Sequence, residues 1–335
     1  MRKFFVSFSI FCALFMAAAT VVAVDPPKYA APATKREVPQ YLQDVSVTIR
    51  SLRGEGSGAF KVTKDGQVWI WTCGHVVEGN RKNRTVIDGK GGQRTVTEFD
   101  DLRVIMQEVE DGETTADHGF KAEVIRYSDS EHGEDLALLR LRSKRFKPAN
   151  SSVFWLDKKI PVLGTDLYHC GSLLGQFGSN SLTHGVMSQH GRMLNGKVYD
   201  QVQCTSFPGS SGGIICEMDT GKYVGMVVRG AGEGFTLIVP VRRMIKWAKT
   251  VGVDFALDDS IPVPDDVKLK SVGIETDGGA GGGAGGHGNT NEESCPFKLK
   301  KLSGCDFRKS NCECGATCAA TCDCGCQSKI ISGKK

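Results

Sequence analysis

The chain has 335 residues, of which 40% are hydrophobic and 24% are charged, and its formal net charge is +4. These proportions are ordinary for a globular core, so they exclude a chain too polar to fold and allow one large domain or two modest ones. The small net charge gives no clear indication of nucleic-acid binding.

The beginning of the chain has the pattern of an export signal. Two basic residues precede an apolar stretch over residues 4–19, and small residues suited to cleavage end at Ala23. We therefore predict a signal peptide over residues 1–23, an N-terminal extension over residues 24–44, and a secreted or periplasmic protein. An uncleaved membrane anchor stays open as an alternative, because the apolar stretch is close to the length that spans a bilayer.

Short β-branched runs, separated by glycine and charged turns, characterise the next two hundred residues. They lie at residues 45–49, 67–72, 95–97, 121–126, 136–141, 198–204, 213–216 and 223–228. Short strands at frequent intervals favour an all-β barrel or sandwich over a parallel sheet. The polar region over residues 78–119 predicts strands joined by extended surface loops.

Residues 241–251 change to a helical period. One face carries Val241, Met244, Ile245, Trp247, Ala248 and Val251, and the other carries Arg242, Arg243, Lys246 and Lys249. Such an amphipathic pattern predicts a helix that docks on the preceding strands through its apolar face.

Three motifs carry the residue types of nucleophilic catalysis. His75 ends an apolar run, Asp135 begins another, and Ser211 stands between glycines in Phe-Pro-Gly-Ser-Ser-Gly-Gly at residues 207–213. A serine needs a base to remove its proton, and that base needs a partner to orient it. Asp117 and Asp129 lie in the same region as Asp135, but neither precedes an apolar strand.

These motifs resemble those of the trypsin-like peptidases of the chymotrypsin fold, and among them the HtrA/Deg-type branch. The likeness extends over residues 45–255 and includes the segments 56–60, 182–188 and 224–240. It implies two six-stranded antiparallel β-barrels facing one cleft, with a C-terminal helix. His75 and Asp135 would come from the first barrel and Ser211 from the second.

The resemblance also implies the roles of the site residues. His75 would be the general base, Asp135 would orient it, and Ser211 would be the nucleophile. The backbone N–H groups of Gly209 and Ser211 would form the oxyanion hole. The expected activity is serine endopeptidase, acting on protein or peptide substrates and requiring no cofactor.

Substrate recognition is implied by the register of the family. Thr205, six residues before the nucleophile, would lie at the floor of the P1 pocket, which predicts a small to medium apolar side chain rather than a basic one. The segment Val228, Arg229 and Gly230 would pair with the extended substrate backbone. Arg229 would favour an acidic substrate side chain or remain solvated.

The sequence departs from its relatives after residue 255. HtrA-type proteins continue into PDZ domains, but a linker over residues 256–294, Gly-rich at 278–288, follows here. It behaves as a flexible tether, and no PDZ-mediated partners are expected.

A basic tail over residues 295–335 contains eight cysteines. They could form disulfides, or Cys312, Cys314, Cys318, Cys322, Cys324 and Cys326 could hold Zn or Cu. An alternative function is therefore a binding or metal-sequestering protein that acts through this tail and keeps an idle peptidase scaffold.

The peptidase region contains four more cysteines. Cys73, Cys170, Cys204 and Cys216 allow three pairings. Cys204 and Cys216 flank residues 207–213, the nucleophile loop, so we expect them to be the first disulfide pair to test. Cys73 lies two residues before His75 and is a candidate either for redox sensitivity or for buried packing.

Overall fold

The structure is a computed structural model that describes residues 30–275, apart from residues 88, 90, 111–112, 144–145 and 231–233. The predicted signal peptide, the Gly-rich segment and the Cys-rich tail lie outside the described residues.

The first half of the described chain forms one short helix followed by eight strands, interrupted by a single helical turn. In chain order these are α1 (Val38–Val45), β1 (Ser46–Ser51), β2 (Gly54–Val62), β3 (Val68–Thr72), α2 (Gly74–Val77), β4 (Arg81–Ile87), β5 (Gln93–Phe99), β6 (Leu102–Glu110), β7 (Glu113–Tyr127) and β8 (Ala137–Leu141). The second half contains β9 (Asp166–Gly171), β10 (Ser181–Leu194), β11 (Lys197–Val202), β12 (Ile214–Glu217), β13 (Tyr223–Gly230), β14 (Thr236–Pro240), α3 (Val241–Val251) and α4 (Asp266–Ser271).

Twelve of these strands close into two antiparallel barrels. The first has the order β1-β2-β3-β8-β7-β6 and the second the order β10-β11-β14-β13-β12-β9. The predicted fold class, two six-stranded barrels followed by a helix, is therefore confirmed. Closure gives each strand of a barrel two neighbours, so neither barrel ends in an edge strand, although single strands can extend beyond their partners.

The two barrels are tied together by the segment that follows the second one. All five residues of β3 are buried, which a barrel interior alone cannot achieve because it covers only one face of a strand. Trp71 packs edge-on against Trp247 of α3, and its indole N–H donates to the carbonyl of Ala256 at 2.9 Å. Phe255 packs against Trp69 with ring centroids 4.9 Å apart, and burying a side chain of this size contributes about 1.5–3 kcal/mol.

Helix α3 has the predicted bounds, but one of its basic residues was assigned to the wrong face. Arg243 is 8% exposed, and it lies over the ring of Tyr199 at 4.6 Å from the ring centroid. Its guanidinium donates to the carboxylate of Glu134, so the charge is paired and the long apolar stem packs like a core residue. A sequence period cannot anticipate this partner.

The region over residues 78–119 contains the expected strands, and they pair into two hairpins instead of being joined by extended loops. Strands β4 and β5 form a separate two-stranded sheet outside both barrels. Strands β6 and β7 belong to the first barrel, and their paired hairpin continues as far as Glu110 and Glu113.

Packed structure extends on both sides of the predicted peptidase region. Helix α1 buries Val38, Tyr41, Leu42 and Val45. Beyond residue 255, Leu269 of α4 is 4% exposed, and Glu275 forms a parallel bridge with Tyr127 of β7. Of the helices that the structure describes, none is long and apolar enough to cross a membrane.

Candidate active site

His75 lies on α2, the short helix that begins directly after β3. The turn from strand to helix brings Gly74 against the loop before β8, where a Cβ at residue 74 would lie 2.1 Å from the carbonyl oxygen of Ser128. Only glycine fits this contact. The same loop carries Asp135, whose backbone has a left-handed φ of 54°.

The imidazole of His75 is held by the carboxylate of Asp135. Ring Nδ1 of His75 lies 3.0 Å from both Oδ1 and Oδ2, and the backbone N–H of His75 donates to Oδ1 at 3.0 Å. The Asp135 side chain is 1% exposed, whereas that of His75 is 34% exposed. One edge of the imidazole is therefore fixed in the interior and the other faces the cleft. Asp117 and Asp129 have other partners, since Asp117 accepts from Gln176 and Asp129 from two backbone N–H groups.

The two groups shift each other's pKa in opposite directions. Burial raises the pKa of Asp135, but its charge interaction and hydrogen bonds with His75 outweigh burial, so the pKa is lowered overall. Burial lowers the pKa of His75, and the negative charge of Asp135 outweighs it, so that pKa is raised. An ionised Asp135 requires the proton of a neutral imidazole to be on Nδ1, which leaves Nε2 unprotonated toward the cleft.

Ser211 lies where the nucleophile loop, which joins β11 to β12 of the second barrel, contacts β2 of the first. The backbone N–H of Ser57 on β2 donates to the carbonyl of Ser211 at 2.7 Å, and the N–H of Gly212 donates to that of Val227 at 2.8 Å. A Cβ on Gly56 would lie 2.6 Å from Val76, the residue after His75, and 3.1 Å from the Ser211 carbonyl. The nucleophile loop and the helix that carries His75 thus pack on the same segment of β2.

The orientation of two N–H groups, those of Gly209 and Ser211, bears on the predicted oxyanion hole. The carbonyl of Pro208 accepts from the N–H of Leu174 at 2.8 Å. Because C=O and N–H of a trans peptide point in opposite directions, the N–H of Gly209 points away from Leu174. Neither Gly209 nor Ser211 has a backbone N–H acceptor within the described residues. Gly209 has a φ of 96°, which favours glycine.

The segment predicted to bind substrate has one open edge. Arg229 and Gly230 pair with β14, but the pairing of β13 with β12 ends at Met226. Beyond Met226 the other edge of β13 runs past the nucleophile loop. Gly230 lies beside Ser206, with 2.9 Å from a Cβ built on the glycine to the serine Oγ, which brings it next to Thr205.

Val228 and Arg229 face opposite environments. Val228 is buried, whereas Arg229 is exposed and its guanidinium lies 3.5 Å from the carbonyl of Ser130, on the loop that carries Asp135. Its positive charge acts on the pKa of both His75 and Asp135.

Cys73 is a packed hydrogen-bond donor. Among the described residues, Cys73, His75 and Asp135 are the group whose potential ligand atoms lie close together, all within 4.8 Å of one another. The Cys73 side chain is 0% exposed, and burial, followed by the charge of Asp135, raises its thiol pKa well above the ordinary value. The thiol therefore keeps its proton and donates to the carbonyl of Val227 at 3.2 Å.

The expected disulfide between Cys204 and Cys216 is not present. Both residues, together with Cys73 and Cys170, are buried free thiols. Cys216 lies on β12 and Cys204 follows β11, and two other strands, β14 and β13, separate these strands in the barrel. The two cysteines do flank the nucleophile loop along the chain, but the expected disulfide was wrong because β11 and β12 are not neighbours in the barrel. Burial raises the pKa of Cys170 and of Cys204 to about 12.

Sequence reasoning missed the residues that support the nucleophile loop. Ser57 and the segment after β9, which contains Ser172 and Leu174, contact that loop directly. The Gly-Ser-Gly pattern at residues 56–58 was interpreted only as a strand. Two glycines that flank a serine in a strand are a signal of close backbone approach, and this signal could have been used.

Comparisons with known proteins gave one family match and several similar solved structures. A family model described as a trypsin-like peptidase domain matches residues 56–226. Similar solved structures include Rv3671c from M. tuberculosis H37Rv in its inactive form, with 20% identity over 72% of this chain and 100% of that one, at a TM-score of 0.45. A serine endoprotease from Yersinia pestis has 18% identity over 65% and 66% of the two chains at a TM-score of 0.46. The structure of Deg5 has 19% identity over 67% of this chain and 95% of its own, at a TM-score of 0.46. A comparison with curated proteins gave no match.

Proposed function

This chain belongs to the trypsin-like peptidase family and is a serine endopeptidase, and we propose that His75, Asp135 and Ser211 form its catalytic triad. The observation that carries the proposal is the double contact of His75 Nδ1 with the Asp135 carboxylate. It is joined by the packing of the Ser211 loop and the His75 helix on the same segment of β2, with a Ser211 N–H that is unpaired within the described residues. That combination meets the three requirements of acyl transfer: an oriented base, a nucleophile and a donor pair.

The triad would work in two half-reactions. Ser211 Oγ attacks the peptide carbonyl while Nε2 of His75 takes the hydroxyl proton, and Asp135 offsets the charge of the imidazolium. The oxyanion forms between the N–H groups of Gly209 and Ser211, and loss of one such donor typically lowers kcat about 100- to 1000-fold. His75 then gives its proton to the leaving amine. Water, activated by the same nitrogen, hydrolyses the acyl-enzyme.

The substrate would add as a strand to the open edge of β13. The backbone of Val228–Gly230 would pair with the residues before the scissile bond, as in other cases of strand addition. Thr205 would lie at the end of the P1 pocket. It supplies no negative charge, so we expect small to medium apolar P1 residues to be preferred over lysine or arginine.

We also propose that the protein is exported and that its tail has a separate role. The signal-like pattern over residues 1–23 supports secretion or a periplasmic location, where the tail cysteines would form disulfides. Disulfides are the favoured interpretation, and the alternative is a Zn or Cu site that sequesters metal through the closely spaced cysteines over residues 312–326. Native mass spectrometry with and without a chelator separates the two: a loss of metal mass supports the site, and an unchanged mass supports disulfides.

A fluorophosphonate probe tests the catalytic proposal. The wild-type chain should be labelled at Ser211, and Ser211→Ala should abolish both labelling and hydrolysis of a peptide library. Ser210→Ala is the matched control, because Ser210 is 1% exposed and its Oγ accepts from the N–H of Phe207. Folded wild-type protein that is neither labelled nor active would contradict the proposal and favour an idle scaffold.

A further inference from the structure

The structure assigns to Ser57 the role of a positioning residue for the oxyanion hole, an inference that rests on the proposed function. Ser57 lies on β2 of the first barrel and is 0% exposed. Its backbone N–H donates to the carbonyl of Ser211 at 2.7 Å, and its Oγ donates to the carbonyl of Gly209 at 2.7 Å. One residue thereby binds the carbonyls of both residues whose N–H groups face the oxyanion position.

The effect of Ser57 is clear from the hydrogen bonds along the nucleophile loop. Four successive carbonyls, those of residues 208–211, each accept one bond. Leu174 N–H binds the first at 2.8 Å and Gly213 N–H binds the third at 2.8 Å. Ser57 binds the second and the fourth. Because every carbonyl in the loop has a donor, each peptide plane is fixed, and the N–H groups at residues 209 and 211 remain for the substrate.

The direction of the Ser57 hydroxyl is determined by a residue of the second barrel. The N–H of Ser172, just after β9, donates to Ser57 Oγ at 2.7 Å. This bond occupies one lone pair of the Ser57 oxygen, and the hydroxyl proton points to the carbonyl of Gly209. The backbone of Ser57 is held as well, since Thr72 Oγ1 donates to its carbonyl at 2.7 Å. Ser57 thus links β3, which leads to His75, with the loop of the nucleophile.

Glycine at position 209 makes this support necessary. Its φ of 96° is one of several that glycine adopts at little cost, so the peptide before it can rotate if its neighbours release it. Rotation would turn the Gly209 N–H away and bring the Pro208 carbonyl, an acceptor, toward the developing negative charge. The N–H of Leu174 opposes this rotation directly through the Pro208 carbonyl. The hydroxyl of Ser57 fixes the next peptide plane through the Gly209 carbonyl, so the flexible Gly209 backbone is held on both sides.

Ser57→Ala tests the role, because it removes the hydroxyl and keeps the backbone N–H. We expect kcat to fall about 10- to 1000-fold with little change in KM, since an oxyanion donor acts mainly in the transition state. Affinity for a peptide boronic acid, which forms a tetrahedral adduct with the serine, should fall in parallel with kcat/KM.

Thr48→Val is the matched control. The Thr48 hydroxyl is buried in the same polar cluster, 2.5 Å from Ser172 Oγ and 2.7 Å from Ser179 Oγ. Its hydrogen-bond partners among the described residues lie outside the nucleophile loop. It should lower the melting temperature and leave kcat within about 3-fold of wild type. If Ser57→Ala does not fold, Ser57→Cys occupies similar space with a weaker donor and gives the same comparison.

The outcomes separate this role from the proposed function. If the wild type is active, three results would overturn the role of Ser57 alone. These are a fall in kcat no larger than that of Thr48→Val, a change in KM without a change in kcat, and an unchanged affinity for the boronic acid. A wild-type chain that hydrolyses nothing, or a Ser211→Ala variant that remains active, contradicts the proposed function and this role together.

Discussion

Arg243 of helix α3 binds Glu134, the residue next to the proposed catalytic Asp135. Its Nε donates to Glu134 Oε2 at 2.5 Å and one terminal nitrogen donates to the Glu134 carbonyl at 2.8 Å. The other terminal nitrogen donates to the carbonyl of Val198 at 3.2 Å. Helix α3, which follows the second barrel, therefore holds the loop before β8 of the first barrel. The contact lies beside Asp135, whose backbone is left-handed.

Removal of Arg243 should cost both stability and activity. Arg243→Ala leaves two carbonyls and a carboxylate without their donor, and breaking such a buried pair typically costs about 3–5 kcal/mol, less here because Glu134 is about one-third exposed. Urea unfolding measures the loss. Lys246→Ala, on the exposed face of the same helix, should change the free energy of unfolding by less than about 0.5 kcal/mol. Equal effects of the two variants would contradict the assigned packing.

Asp135→Asn should abolish most of the activity without unfolding the chain. An amide can donate to Nδ1 and favour the tautomer that has its proton on Nε2, so the base would be blocked. For a Ser-His-Asp arrangement the expected loss of kcat is about 10⁴-fold. Asp129→Asn is the control from the same loop, because its oxygen still accepts from the N–H groups of Glu131 and His132. Similar kcat values for the two variants would argue that Asp135 does not orient the base.

The pH dependence of kcat/KM should follow His75. Its raised pKa means that the imidazole becomes protonated, and useless as a base, already as the pH falls through a value above the ordinary 6.5. Burial and the charge of Arg229 both lower this pKa, while Asp135 raises it. Arg229→Gln should raise the pKa of His75 and thus move the acid limb of the kcat/KM profile to higher pH. Arg229→Lys, which keeps the charge, should move that limb less. A shift to lower pH would contradict this electrostatic account.

His169 should make the fold sensitive to acid. Its ring is fully buried against Gly171 and Gly213, Nδ1 donates to the Ile214 carbonyl at 3.1 Å, and Nε2 has no partner among the described residues. Burial lowers the pKa of His169 from 6.5 to about 4. As the pH falls, the unfolded chain therefore binds a proton at this imidazole before the folded chain does. The free energy of unfolding decreases between pH 6.5 and pH 4, by up to about 3 kcal/mol.

Two variants isolate the contribution of His169. His169→Leu should flatten the dependence of the unfolding free energy on pH within that window. His184→Gln should not, because His184 lies on the surface, where it pairs with Asp166. An unchanged slope in His169→Leu would show that this imidazole is not buried in its neutral form.

The thiols of the peptidase region should all be free. After denaturation and alkylation without a reductant, peptide mapping by mass spectrometry should find an alkyl group on Cys73, Cys170, Cys204 and Cys216. Reductant should leave the melting of this region unchanged. A cross-linked peptide that joins Cys204 to Cys216 would mean that the second barrel differs from the arrangement described above.

The sequence by itself determined the fold class and which residues to consider for the site. Short strands at frequent intervals favoured an antiparallel barrel or sandwich, and the resemblance of the motifs implied two barrels. A period change at residue 241 predicted a helix, because burial of one face imposes a local spacing. His75, Asp135 and Ser211 stand out for the same reason, since each ends or begins an apolar run or lies between glycines. All of these signals are contained within a few neighbouring residues.

Only the tertiary structure decided how those residues are supported. Ser57 reaches Gly209 across 152 positions, Arg243 reaches Glu134 across 109, and the segment after residue 255 covers β3 of the first barrel. The barrel order also separated Cys204 from Cys216, which chain proximity had suggested as a pair. A hydrogen bond between distant residues leaves no period in the sequence, because its geometry depends on how two closed barrels meet and not on the spacing within either strand.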